Sequence, residues 1–315
     1  MALPIVQSST NGRTNASTTA STSMPGLSYP TGIQLGDLLI LTFGFGATTT
    51  INSGLPAGWN LLSQDANGTT NNIISYWKFA EATEVSGAGG NFPTLTGTVS
   101  TYGFYSFLRI SNINPITSPE VATAATGTST SPNSPSITAS WPTTDVLVIS
   151  YYSEDDSRST ATSGPSGYTV DIHQAGGPAT AGTTGLAFGS AYVTRTATAT
   201  EDPGNWSTGR SDTWVANTII VRGLELYNIT ETLRLSDGSP IADGVKVVAL
   251  ESDAILNANP GDTLIVRAVD VISGGAGEIS LTVYTSTDKV LIADYSDPSL
   301  NGETLVTTPI TPTVI

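Results

Sequence analysis

The chain has no cysteine, a single histidine and few charges. Of its 315 residues, 12% are Asp, Glu, Lys or Arg, against about 25% in an ordinary soluble domain. Without cysteine there are no disulfides and no zinc sites built on thiolates. With His173 alone, one chain cannot assemble a multi-histidine metal centre. Cations are scarcer still: 11 Lys and Arg stand against 26 Asp and Glu, a formal net charge of −15. Duplex binding rests on Lys and Arg, so no nucleic-acid partner is expected. No run approaches the roughly 18 apolar residues of a membrane helix, so no membrane insertion is expected. The opening segment, MALPIVQSSTNGR, lacks the basic and apolar regions of a signal peptide.

What is present is a normal supply of core residues, 38% hydrophobic, with a polar complement drawn from Ser, Thr, Asn and Gly. The length allows two cores. Strand signals dominate. Leu38–Phe43, Ile73–Phe79, Tyr105–Ile110, Val146–Tyr152, Thr213–Val221 and Leu264–Val271 are short aliphatic, β-branched or aromatic runs. Gly, Pro, Asn and Ser clusters separate them. This grammar predicts an all-β protein of antiparallel sandwiches, jelly-roll-like in its first part. The best helical stretch, Ala80–Val85, is short. Thr123–Ser140 (TAATGTSTSPNSPSITAS) reads as an ordered extended crossover.

Residues 1–223 read as an internal duplication, with halves at about 1–116 and 117–223. Asp37–Phe43 matches Asp145–Tyr151, 108 residues apart, and Pro56-Ala57-Gly58-Trp59 matches Pro165-Ser166-Gly167-Tyr168, 109 apart. Looser pairings are Tyr76 with Tyr192 and Phe107-Leu108 with Ile219-Ile220. Each half would make strands unable to bury one face alone, and the two would close one sandwich. A second domain is expected at 224–315, which holds 13 acidic and 4 basic residues against 13 and 7 in 1–223. Its strand pattern (Thr230–Leu235, Val245–Leu250, Leu264–Val271, Ile279–Tyr284, Lys289–Ala293) suits a small immunoglobulin-like sandwich.

Gly36-Asp37-Leu38-Leu39, the Pro56–Trp59 turn, Tyr76-Trp77-Lys78-Phe79, Gly127-Thr128-Ser129 with Pro135-Ser136-Ile137, and the echo at Pro165–Tyr168 together carry a resemblance. The first two thirds of the chain resembles a β-rich repeat domain of tailed-phage structural proteins and some bacterial surface proteins. The tail, with LSDGSPIADGVKVVAL, looks like an immunoglobulin-like or prealbumin-like accessory module. The resemblance implies a virion surface component, made in a host cytoplasm and released by lysis.

Few residues invite a chemical role. Trp59 and Tyr168 could form platforms for sugar stacking, but a Pro-x-Gly-aromatic turn builds itself without a ligand, and burial is the usual use of such rings. Trp141, Trp206 and Trp214 lie in polar or turn-like sequence. Trp206, in Asn205-Trp206-Ser207, is the foremost candidate for an exposed anchor. Glu154-Asp155-Asp156 offers three oxygen acceptors to a calcium ion, without the spacing of an EF-hand; a solvated loop is the plainer reading. Asp294 and Asp297 are weaker candidates. Strand alternation puts His173 on a solvent face with Thr169 and Asp171, and no G-x-S-x-G elbow supports a nucleophilic triad. Arg109, Arg195, Arg222, Arg234 and Arg267 fall in or beside strands and could bridge subunits. No catalytic residue and no cofactor is expected. The leading expectation is a non-enzymatic virion protein (capsid decoration, or tail or tail-fibre component). It would be a homo-oligomer acting by surface complementarity and strand-edge contacts with the major capsid or tail protein. A host-attachment adhesin binding surface glycan is the alternative, and a polysaccharide-degrading enzyme is the third reading.

Overall fold

A computed structural model describes residues 3–13, 21–23, 27–46, 50–53, 58–85, 96–99, 103–115, 117–155, 163–176, 185–225, 227–234, 239–240, 245–251, 266–271, 278–283, 289–293 and 313–314. The protein is all-β, with antiparallel sheets throughout. It divides into two compact units, Ala2–Leu224 and Glu225–Ile315.

Ten strands build the first unit's sandwich. They are β1 (Ile5–Arg13), β2 (Leu38–Gly46), β3 (Asn60–Asn67), β4 (Asn71–Phe79), β5 (Gly103–Ser111), β6 (Ala125–Ser129), β7 (Thr144–Glu154), β8 (Thr169–Gly176), β9 (Leu186–Thr198) and β10 (Asp212–Arg222). One sheet has the order β1-β5-β2-β4-β3, the other β6-β10-β7-β9-β8. Each half of the unit thus supplies one sheet, and the strand order is the same in both. The edge strand β6 is extended by Glu120–Val121, which also pairs with β10. Thr123–Ser140 is ordered: besides β6 it carries Asn133–Ser134 and Ile137–Thr138, which pair with Gly204–Asn205 and Thr200–Glu201.

The sheets pack face to face over one apolar core. Leu38, Ile40, Ile73, Phe104, Leu108 and Ile110 from the first sheet meet Leu147, Ile149, Ile172, Phe188, Ile219 and Val221 from the second. Burial of that apolar area is the main force joining the halves. The outer faces are covered too. Leu27, Ile33 and Trp59 lie over Leu39, Leu41, Phe43 and Phe45, and Ile137, Ala139 and Trp141 lie over Val146, Val148 and Ile220. The central strands β2 and β7 are therefore buried on both faces. This is why they read as unbroken apolar runs, where a half-exposed strand would alternate.

Register corrects the sequence alignment of the halves. A spacing of 108 pairs Leu41 with Ile149, yet Leu41 faces the outer layer and Ile149 the inter-sheet core. A one-residue slip exchanges the faces of a strand, so the correct partner of Ile149 is Ile40, 109 residues away. Ile40 sits on a rung with Trp77, Leu108 and Asn60. Ile149 sits on a rung with Tyr192, Ile219 and Thr169. Trp77, not Tyr76, is thus the counterpart of Tyr192. The spacing of 109 is also that of the two Pro-x-Gly-aromatic turns, where Gly58 and Gly167 have φ of 82° and 80°, a left-handed conformation that only glycine adopts freely.

The helical stretch shrinks to one turn, Ala82–Val85. In the second unit Tyr227–Thr232 pairs with Glu278–Val283 and Thr313–Val314, and Lys246–Glu251 pairs with Val266–Val271 and Lys289–Ala293.

Candidate functional site

Among the described residues, aromatic and titratable side chains meet on the outer face of the second sheet. Tyr152 on β7, Gly189 on β9 and His173 on β8 form one rung. Because Gly189 has no side chain, Tyr152 reaches across β9 to the edge strand, and its hydroxyl lies 2.6 Å from His173 Nε2. Trp206 caps the gap, its ring 4.8 Å from Tyr152 and 5.3 Å from His173. Trp206 Nε1 donates to Ser150 Oγ at 2.8 Å and to Ser134 Oγ at 3.3 Å, and the two serine hydroxyls are 2.6 Å apart.

Burial decides the protonation of this group. It holds the His173 imidazole down at about 4 from its usual 6.5, and the Tyr152 phenol well above 10. At neutral pH, then, a neutral phenol and a neutral imidazole share the hydrogen bond between Tyr152 Oη and His173 Nε2. His173 Nε2 is thereby taken up by Tyr152. What the cluster does chemically is pin the edge strand β8 and the 130–141 and 204–208 segments to the sheet.

This corrects several expectations. Trp206 is not an exposed anchor: it is fully buried, because its N–H finds the Ser134 and Ser150 hydroxyls beneath the covering segment. Trp59, Trp141 and Trp214 are buried as well. Tyr168 is half-buried, donates its O–H to Glu201 Oε1 at 3.1 Å and lies under the Arg195 guanidinium. His173 does not share a solvent face with Asp171. A β-bulge between Val170 and Ile172 breaks the alternation. Asp171 instead accepts from Ser106 Oγ at 2.8 Å and from Asn11 Nδ2 at 3.2 Å, both on the other sheet. Glu154 is no loop ligand: it closes β7, is fully buried, and accepts from Thr208 Oγ1. Asp155 follows it, while Asp156, Asp294 and Asp297 lie outside the described residues. Among the described residues no group of three or more His, Cys, Asp or Glu is placed to hold a metal ion.

Two of the arginines make ion pairs within the chain. Arg109 Nε meets Asp37 Oδ2 at 2.6 Å with both side chains largely buried, and Arg195 pairs with Glu201 at 2.8 Å. Arg234 bridges Pro240 through its backbone, Arg222 ends β10, and Arg267 lies on the strand Val266–Val271. Lys78 is buried beside Glu81 and Glu84, which outweigh its desolvation and hold its ammonium above the usual lysine range. The strand-edge contacts expected of this fold also meet an obstacle. Of the four edge strands β1, β3, β6 and β8, β3 and β8 each carry a bulge, and Asp65 and Asp171 on them reach the opposite sheet. Bulges and inward charges blunt an edge against strand addition. No protein-family model, curated protein or solved structure matches the chain.

Proposed function

We propose that the chain is a non-enzymatic structural protein of a tailed-phage particle, a capsid decoration or a tail or fibre component, acting through protein–protein contacts. The observation that carries this reading is the use made of the side chains that could have done chemistry or held sugar. Trp59, Trp141, Trp206 and Trp214 are buried in packing, and Asp37, Glu84, Asp171 and Glu201 are engaged by partners within the chain. The resemblance of the first 223 residues to tailed-phage structural domains supports the same reading. So does the uneven charge. A weakly charged first unit suits close packing in a protein lattice, where an unpaired buried charge is costly. The more acidic second unit suits a face turned to solvent.

On this reading the contacts run through faces, loops and the edges β1 and β6, since β3 and β8 are blunted. The chain is then a virion component and a homo-oligomer, and carries no cofactor. The test is immunogold labelling of purified particles of a phage that encodes it. Label at one repeated position on the particle is expected; unlabelled particles beside labelled cell debris would refute the proposal. A glycan array run in parallel separates it from the adhesin, which alone predicts a specific signal.

A further inference from the structure

We infer that residues 3–224 are two copies of one five-stranded unit packed about a local two-fold axis, so that the inner face of each sheet is a surface that recognises a second copy of the same unit. Shared strand order alone would not carry this, but the details repeat. In β3 the bulge falls at Leu62, between Leu61 and Ser63; in β8 it falls at Asp171, between Val170 and Ile172. Both lie at the spacing of 109 that relates Ile40 to Ile149. A bulge is a built feature of a strand, and its recurrence at the matching residue argues for a copied unit.

Packing between the sheets is reciprocal. β1 lies against β8 and β3 against β6; β4 meets β7 and β10, and β9 meets β2 and β5; β3 meets β10 and β8 meets β5. Exchanging the halves maps each contact onto another of the set, as an isologous interface requires. β2 and β7, which correspond, face each other, and the Tyr151 phenol lies beside its own counterpart, Thr42. The polar ties share their donor position, though not their acceptors. Ser106 on β5 donates to Asp171 on β8, and its counterpart Asn217 on β10 donates to Ser63 and Asp65 on β3. Within one chain each inner face is covered by the other half, and the matching half of a second copy would fit it equally.

The halves are joined where exchange can be forced. β5 ends at Ser111, and Ile113 already bridges Gly223 of the second half while Asn114 N–H donates to Arg222 O. The chain crosses between the sheets at Asn112, whose φ is 56°. Proline, with φ near about −65°, cannot adopt that crossing. In the full-length chain, Asn112→Pro should therefore yield a species of twice the wild-type mass by light scattering, with wild-type near-ultraviolet circular dichroism. Each sandwich would then be built from halves of two chains. Adding a long Gly/Ser insertion after position 112 in the same variant should restore the wild-type mass. An N112P chain of unchanged mass and native spectrum, or one that loses the native spectrum while the insertion variant keeps it, overturns the inference.

Discussion

Gly189 is the point on which the outer layer of the second sheet turns. A Cβ there would stand 2.4 Å from Tyr152 Cε1 and 2.7 Å from Trp206 Cζ3. Both rings are fully buried, and β9 is held in register by β7 on one side and β8 on the other. The added methyl must displace the rings. Overpacking of this kind costs about 1–3 kcal/mol. Moving Tyr152 also breaks its hydrogen bond to His173, worth about 1 kcal/mol. Gly189→Ala should therefore destabilise the first unit by about 2–4 kcal/mol in total. All five tryptophans precede residue 224, so urea unfolding followed by tryptophan fluorescence reads this unit alone. Gln174→Ala, at an exposed site on the neighbouring strand, should stay within about 0.5 kcal/mol. If Gly189→Ala behaved like Gln174→Ala, Tyr152 would not cross β9, and the account of His173 and Trp206 would fall with it.

Three further outcomes follow from the same geometry. Burial places the His173 proton at about 4 in the folded chain, against 6.5 when unfolded, so on acidification the unfolded chain takes up the proton first. The stability owed to neutral His173 is complete above pH 6.5 and is lost between 6.5 and 4. Its ceiling is about 3 kcal/mol, lowered to on the order of 1–2 kcal/mol by the part of the ring that water reaches; His173→Gln should flatten the urea-midpoint profile over that window. Arg109→Ala leaves the buried Asp37 carboxylate without its cation and should cost about 3 kcal/mol, read by the same unfolding curves. Trp206→Phe removes the donor to Ser150 and should cost about 1–3 kcal/mol without changing any glycan-array signal, whereas an adhesin would lose binding at unchanged stability.

Much of this architecture was written in local pattern. The central strands β2 and β7 were plain because both faces are buried, which makes them continuous apolar runs. The edge strands were not. β1 and β3, IVQSSTNGR and NLLSQDAN, are half-exposed and polar, and pairing with a neighbour defines them more than composition does. The place of His173 was illegible for a related reason. Alternation along β8 predicts its face only if the strand is regular, and the bulge at Asp171 arises from pairing with β9. The burial of Trp206 rests on Ser134 and Ser150, 72 and 56 residues away in sequence. No local signal announces such partners. The shared strand order of the two halves has its echo in two short motifs, but their spacing is one residue off in the strand, because Asp-Leu-Leu and Asp-Val-Leu look alike in either register. Only the segregation of side chains between inner core and outer layer separates 108 from 109.

The structural role proposed on a virion is read out by the copy number of the chain per particle. Quantitative mass spectrometry of purified, intact particles, referenced to the major capsid protein, gives that number. The account predicts a fixed stoichiometry: hundreds of copies for a head decoration or tube, or a small multiple of three or six for a fibre or tip. A chain absent from intact particles, or present at a variable trace that washing removes, would contradict it.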